Sequence, residues 1–328
     1  MVTITDVAHR AGVSMKTVSR VLNNEAHVRP AVREKVQSAV AALGYRPNLA
    51  ARQLAGHKSF IIGYPFNNPS AAYVTDILLG AARACRDRGY HLVSEPVDLL
   101  ENAVEIIDRL ISTLRPDGMI LIPPLAEIPA VIDQIEKAGL PLVRIAGSVE
   151  GYGEALRIDD ADIARQMVAH LAEQGHRRIA FIRPPAHHSQ AASRFDGYCA
   201  GLSAAGIAFD PGIVVDGAFD VESGMAAART LLDLPEPPTA IFASNDQMAL
   251  GALRVAHQRK LDVPGDVAIA GFDDLPASAF AWPPLTTVRQ PIEALGACAA
   301  RILLGEAPDD AALTHQLILR ESTLSPTA

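Results

Sequence analysis

Met15, Lys16, Ser19 and Arg20 fall on one side of a short helical stretch, Met15 to Leu22. Its other side carries Val18, Val21 and Leu22, so one face is basic and polar and the other apolar. A face of that kind can lie in the major groove of DNA when a helix and a tight turn precede it. The same spacing also fits an ordinary αα-hairpin with a solvated basic face.

The elements that must hold this face are written around it. Thr3 and Asp6 have the spacing of a capping box, so a first helix starts near Ile4. Ile4, Val7, Ala8 and Ala11 make its apolar side, and Gly12 ends it because glycine accepts positive φ. Val13 plugs the gap between helices, and Ser14 is a good N-cap for the second. Pro30 opens a third helix with Val32, Val36, Val40 and Leu43 at helical spacing, closed by Gly44. Three helices in about 45 residues can just bury a core.

Tyr45-Arg46-Pro47-Asn48 then breaks the pattern, and a short helix follows to Ala55, ended by Gly56. That helix is too short to be stable alone, so it orders on a partner. Leu54 either docks on the rest of the protein or acts as a wedge into a base step of the minor groove.

Charge divides the same way. Residues 1–59 hold nine Lys/Arg against three acids, a net of +6, and the remainder holds 20 against 34, a net of −14, which together give −8. A basic head on an acidic body suits contact with nucleic acid through the head alone. The 328 residues allow two or three domains, and 49% hydrophobic with 20% charged residues is the composition of a soluble globular protein. No apolar run reaches the roughly 18 residues of a membrane span, and no secretory signal opens the chain, so a cytoplasmic protein is expected. Cys85, Cys199 and Cys298 are isolated and read as reduced thiols; neither metal nor cofactor is expected.

From Phe60 onward, apolar runs alternate with amphipathic stretches. The runs are 60–64, 91–93, 118–122, 140–145, 178–182, 213–215, 239–243, 267–270 and 285–288. Helical stretches such as 71–88, 104–114, 161–174, 194–205, 224–232 and 247–258 lie between them. This alternation predicts parallel sheets covered on both faces, too many units for one sheet, hence two α/β lobes with a ligand in the cleft between them. An enzyme reading lacks support. The first strand runs into Tyr64-Pro-Phe-Asn-Asn68 with no G-x-G-x-x-G, and there is no G-x-S-x-G or H-E-x-x-H.

The chain resembles the LacI/GalR family of bacterial transcription regulators. The resemblance is carried by Ile4-Thr-Asp-Val-Ala, Ala11-Gly-Val-Ser and Thr17-Val-Ser-Arg-Val-Leu-Asn23 in the head, and by Tyr45-Arg-Pro-Asn48 and Leu54-Ala-Gly56 after it. Glu173-Gln-Gly-His-Arg-Arg-Ile179, Ser244-Asn-Asp-Gln-Met-Ala-Leu-Gly251, Gly271-Phe-Asp-Asp274 and Pro284-Leu-Thr-Thr-Val288 carry it through the body.

The resemblance implies a helix-turn-helix head over 1–46, a hinge helix and linker over 47–59, and an effector-binding and dimerisation body over 60–328. Lobe one would hold 60–157 and 289–315, and lobe two 158–288 and 316–328. The body would resemble periplasmic sugar-binding proteins, with the chain crossing between lobes three times. A homodimer would bind a near-palindromic operator. Met15, Lys16 and Arg20 would read base edges. Ser14, Thr17, Ser19, Asn23 and Asn48 would sit at phosphates, and Leu54 would enter the minor groove. Arg29 departs from the Ser or Thr frequent before Pro30.

A small effector, a sugar or its phosphate, would be held by Asn67, Tyr73, Asp159, Arg194, Phe219, Asn245 and Asp273, a set suited to hydroxyls and a pyranose face. Each has a bland alternative: Asp273 and Asp274 as turn residues, Asn245-Asp246 as caps of the next helix, Phe219 and Tyr73 as packing. Ala146 stands where relatives often carry a carboxylate, and His187-His188 on the rim make a poor metal pair. Release from the operator by the effector is expected; corepression, activation and a sugar-binding protein without a DNA role are the alternatives. No heptad tail follows the last strand, so a dimer is expected rather than a tetramer.

Overall fold

The computed structural model describes residues 2–22, 27–45, 58–68, 70–145, 151–184, 189–307 and 313–324. The chain divides into two units, Met1–Phe60 and Ile61–Ala328.

The first unit is built on α1 (Ile4–Ala11), α2 (Met15–Leu22) and α3 (Pro30–Leu43). The capping box forms: Thr3 donates its backbone N–H to Asp6 Oδ2 at 2.8 Å, and the Asp6 N–H donates to Thr3 Oγ1. Gly12 takes φ 65° and returns its N–H to the end of α1, which turns the chain sharply enough to start α2 at Met15. Ser14 Oγ accepts the Thr17 N–H at 3.2 Å. Val7, Val18, Val21, Val36 and Ala39 meet in the centre, with Ile4, Val13, Leu22 and Leu43 around them. Ala39, rather than the expected Val32, belongs to this core. Arg29 occupies the N-cap of α3 and makes no side-chain capping bond, so Pro30 starts that helix through its fixed φ alone.

The second unit contains two parallel sheets. The first runs in the order β2-β1-β3-β4-β5, from β1 (Ile61–Phe66), β2 (His91–Pro96), β3 (Gly118–Leu121), β4 (Leu142–Ile145) and β5 (Glu154–Leu156). β5 was not expected; three residues are too few to show a period. Helix α4 (Ala71–Asp87) covers one face, and α5 (Ala103–Leu114) and α6 (Pro129–Lys137) the other.

The second sheet runs β7-β6-β8-β9, from β6 (Ile179–Arg183), β7 (Val214–Asp216), β8 (Ala240–Ala243) and β9 (Ala268–Ala270). Helices α7 (Asp160–Glu173) and α8 (Ser189–Ala204) pack on one face. Helices α9 (Val221–Leu232) and α10 (Asp246–Gln258) pack on the other. The strand interiors are buried on both sides, which is why they read as continuous apolar runs.

The chain passes between the sheets three times. It leaves β5 for α7. It returns through the short α11 (Pro276–Phe280) and β10 (Thr287–Arg289) to α12 (Ile292–Leu303), which packs on α4 in the first lobe. It then crosses back through β11 (Gln316–Ile318), paired antiparallel with β10. The contact of α4 and α12 is backbone-close: a Cβ on Gly80 would stand 1.9 Å from the Glu293 carbonyl oxygen, and one on Gly296 2.1 Å from that of Ile77.

Polar groups pin the crossing strands. Buried Asp246 accepts from the Leu275 N–H, Ser278 Oγ and Thr287 Oγ1 at 2.5–2.7 Å. Asp274 accepts from Arg289 at 2.7 Å and Arg320 at 2.6 Å. No helix among the described residues is long and apolar enough to cross a membrane.

Candidate functional site

Two places carry chemistry. The first is the outward face of α2. Met15, Lys16 and Arg20 are exposed, and Thr17 and Ser19 are half-buried. Met15 is held by Thr5, whose hydroxyl donates to its sulfur at 3.3 Å. Ser14 shares a hydrogen bond with the Thr17 hydroxyl at 2.9 Å, so both side chains are tied to the start of the helix. Asn23, Asn48 and Leu54 lie outside the described residues, as do Ala146, His187 and His188.

The second is a small, solvent-open cavity in the body, lined by Asn68, Ser70, Tyr73, Arg194, Phe219, Asn245, Asp273 and Gln290. Asn68, Phe219, Asn245 and Asp273 bring to it the carboxyl ends of β1, β7, β8 and β9, where open α/β sheets present ligand sites. Ser70 is the N-cap of α4 and accepts the N–H of Tyr73, fixing that aromatic on the first turn. Asn68 accepts the Ser70 N–H at 2.9 Å and donates to the Pro123 carbonyl at 3.1 Å, which ties the loop after β1 to the loop after β3.

Arg194 enters from α8 and is 2% exposed. Its Nε donates to Asp160 Oδ2 at 2.9 Å, its terminal nitrogen to the Ser244 carbonyl at 2.6 Å, and its plane lies 3.8 Å from the Phe272 ring centroid. His315 stands 2.9 Å from the other oxygen of Asp160. Burial pushes the Asp160 carboxyl up, but Arg194 and His315 outweigh it and hold it below the usual carboxylate range. Asn245 is the N-cap of α10. Its Oδ1 accepts the Met248 N–H and its Nδ2 donates to the Phe219 carbonyl, which lets Phe219 sit at φ 64° against the cavity.

Asp273 and Gln290 form the back wall. Asp273 sits at φ 119° just before the crossing strands, with its N–H on the Val288 carbonyl. Gln290 follows β10 and donates its amide to Asp273 Oδ1 at 2.5 Å. Burial pushes the Asp273 carboxyl up to about 7, with Arg194 opposing and the charge of Asp246 adding.

Two expected residues are displaced by one position. Asn67 turns away from the cavity and donates to the carbonyls of Val97 and Asp98; Asn68 faces it instead. Asp159 is exposed and caps α7, accepting the Asp162 N–H at 2.9 Å, because an N-cap side chain folds back on its own helix. Asp160 is the carboxylate that turns inward. Asp246, read as a cap, lies one residue inside the helix that Asn245 caps. Tyr73, Arg194, Phe219, Asn245 and Asp273 all reach the lining. Ser70, Asn68, Gln290, Asp160 and His315 were not singled out from the sequence. Only Ser70, a serine opening an apolar helical stretch, carried a local signal.

A helix-turn-helix head and a two-lobed body with a polar interlobe cavity define a DNA-binding regulator with a ligand-binding domain. Comparison with known proteins agrees at both ends of the chain. Residues 3–48 match the model of bacterial regulatory proteins of the lacI family, and residues 168–325 match that of a periplasmic binding protein-like domain. The Ribose operon repressor of Escherichia coli (strain K12) is 33% identical over 311 residues, covering 93% of this chain and 92% of the relative. The repressor CytR of the same organism is 36% identical over 93% of this chain and 89% of its own length. The solved lac repressor dimer bound to operator and the anti-inducer ONPF aligns over 99% of both chains, with TM-score 0.79 and 30% identity. A complex of the regulator CelR with cellobiose aligns over 98% of this chain and 100% of its own, with TM-score 0.72 and 33% identity. The chain belongs to the LacI family of bacterial regulatory proteins: it is a transcription regulator that binds DNA through its helix-turn-helix head, and not an enzyme.

Proposed function

We propose that this regulator is a dimeric, cytoplasmic repressor of carbohydrate-use genes that leaves a near-palindromic operator when a small sugar-like effector enters the interlobe cavity. The observation that carries the proposal is the composition of the cavity wall. Both lobes contribute to it, and so does the crossing strand, through Gln290 bonded to Asp273. A ligand there touches the parts whose relative angle must change for a two-state switch. The repressed state would rest on Met15, Lys16 and Arg20 at base edges. Ser14, Thr17, Ser19, Asn23 and Asn48 would lie at phosphates, with Leu54 in the minor groove. The effector set is Tyr73, Arg194, Phe219, Asn245 and Asp273, joined by Asn68, Ser70 and Gln290. The cellobiose bound to CelR and the ONPF bound to the lac repressor support a carbohydrate class.

The test is operator binding by the full chain with and without a panel of sugars, each first checked for a rise in melting temperature. The expected result is that a sugar which stabilises the protein weakens operator binding at least about fivefold. Unchanged operator affinity with every bound sugar would refute the coupling.

A further inference from the structure

We infer that the cavity selects an uncharged, hydroxyl-rich ligand, a neutral sugar or polyol, and rejects sugar phosphates and sugar acids; this deepens, and rests on, the effector reading above. The argument is an account of donors, acceptors and charge in the wall.

Arg194 is the only cation among the described lining residues, and its charge is already matched. Asp160 faces it at 2.9 Å, both side chains are at most 4% exposed, and the guanidinium plane is covered by Phe272. It keeps N–H donors for a hydroxyl but no net charge for an anion. Asn68 and Asn245 each already give one of their two amide N–H groups to a backbone carbonyl.

The hydroxyls of Ser70 and Tyr73 also line the wall, and beside these donors stand two acceptors. Gln290 is 6% exposed, its amide nitrogen is given to Asp273, and its Oε1 has no hydrogen-bond partner among the described residues. A buried carbonyl oxygen left in that state is unfavourable, and an O–H from a ligand satisfies it. Beside it stands Asp273, a carboxyl 8% exposed. Because burial brings it to about 7, it can accept from one hydroxyl when ionised or donate to it when protonated. A hydroxyl accommodates both states. A phosphate or carboxylate would be buried against Asp273 with no unmatched cation among the described lining residues, and desolvation of that charge would go uncompensated.

The experiment pairs neutral sugars with their charged derivatives on the full chain at pH 7.5: glucose with glucose 6-phosphate and glucuronate, galactose with galactose 6-phosphate and galacturonate, ribose with ribose 5-phosphate. Binding is read by thermal shift and titration calorimetry. The expected result is a neutral sugar that binds, with its charged partner weaker by about a hundredfold or more. A charged partner that binds as tightly or more tightly overturns the inference and leaves the effector reading standing. A panel in which no carbohydrate of either kind binds overturns both.

Asp273→Asn supplies the charge-specific readout. It keeps the shape of the wall and removes its anion, so the ratio between neutral and charged partners should fall by about tenfold or more. An unchanged ratio in a variant that melts cooperatively refutes the role of Asp273. Gln290→Met, judged against its own unliganded melting curve, should weaken the neutral sugar by about tenfold. Unaltered affinity refutes the acceptor role of Gln290.

Discussion

Asp273→Asn also makes a prediction about the unliganded protein. The carboxyl moves from its ordinary 3.8 to about 7 on folding, chiefly through burial. An acid whose folded pKa is raised contributes stability that is complete below the unfolded value and is lost as pH rises through the folded value. Between pH 6 and pH 8 the protonated fraction of the folded state falls from about nine-tenths to about one-tenth, while the unfolded chain is ionised throughout. Integrating that difference gives a loss of about 1.4 kcal/mol. For a body of this size the loss lowers the melting temperature by about 3–5 °C. Asparagine keeps the bond from Gln290 through its carbonyl oxygen, tolerates the left-handed backbone at this position, and cannot ionise. Titrating groups away from Asp273 remain in both proteins and cancel in the comparison, whereas Asp246, at about 6, is coupled to Asp273 and ionises more readily in the variant. Melting curves of the two proteins at pH 6 and pH 8 are the assay. The wild type should lose about 1.4 kcal/mol more than the variant over that interval. Parallel pH dependences would mean that Asp273 is ionised throughout and that burial does not govern its titration.

Two further outcomes follow from the geometry. Arg194→Met leaves Asp160 buried without its main partner and should destabilise the body by about 3–5 kcal/mol in urea unfolding; a loss below about 1 kcal/mol would show that His315 alone suffices to hold that carboxylate. Arg20→Ala should weaken operator binding by about 1–3 kcal/mol and relax preference at a single base pair, measured across a set of substituted operators; a uniform loss at all sequences would place Arg20 at a phosphate instead.

The architecture was legible because its signals are periodic. Buried parallel strands give apolar runs, and helices that cover them give 3.6-residue stripes, so the alternation from Phe60 onward already implied two covered sheets. The head was legible for a different reason: Thr3, Asp6, Gly12 and Ser14 are local caps, each decided by its immediate neighbours. The site was less readable because its residues lie where helix phase decides direction. In Asp159-Asp160-Ala161-Asp162, one carboxylate caps and its neighbour turns inward. The sequence shows three carboxylates and not the angle between them. Asn67 and Asn68 pose the same ambiguity in a loop. Gln290 was invisible in principle, since its meaning comes from Asp273, 17 residues earlier and across a crossing strand.

The place of α12 has a consequence for how the protein is made. The core of the first lobe includes Ile292, Leu295, Cys298, Ala299 and Ala300, so nearly the whole chain must leave the ribosome before that lobe can close. The second sheet needs nothing beyond Ala270 for its strands. The buried core of the second lobe ends at Val288, so synthesis completes that core before the core of the first lobe, although the first begins earlier in the sequence, and a chain stopped short of α12 exposes the apolar face of α4. The head needs only its first 45 residues for its core, so it is finished long before the body that controls it.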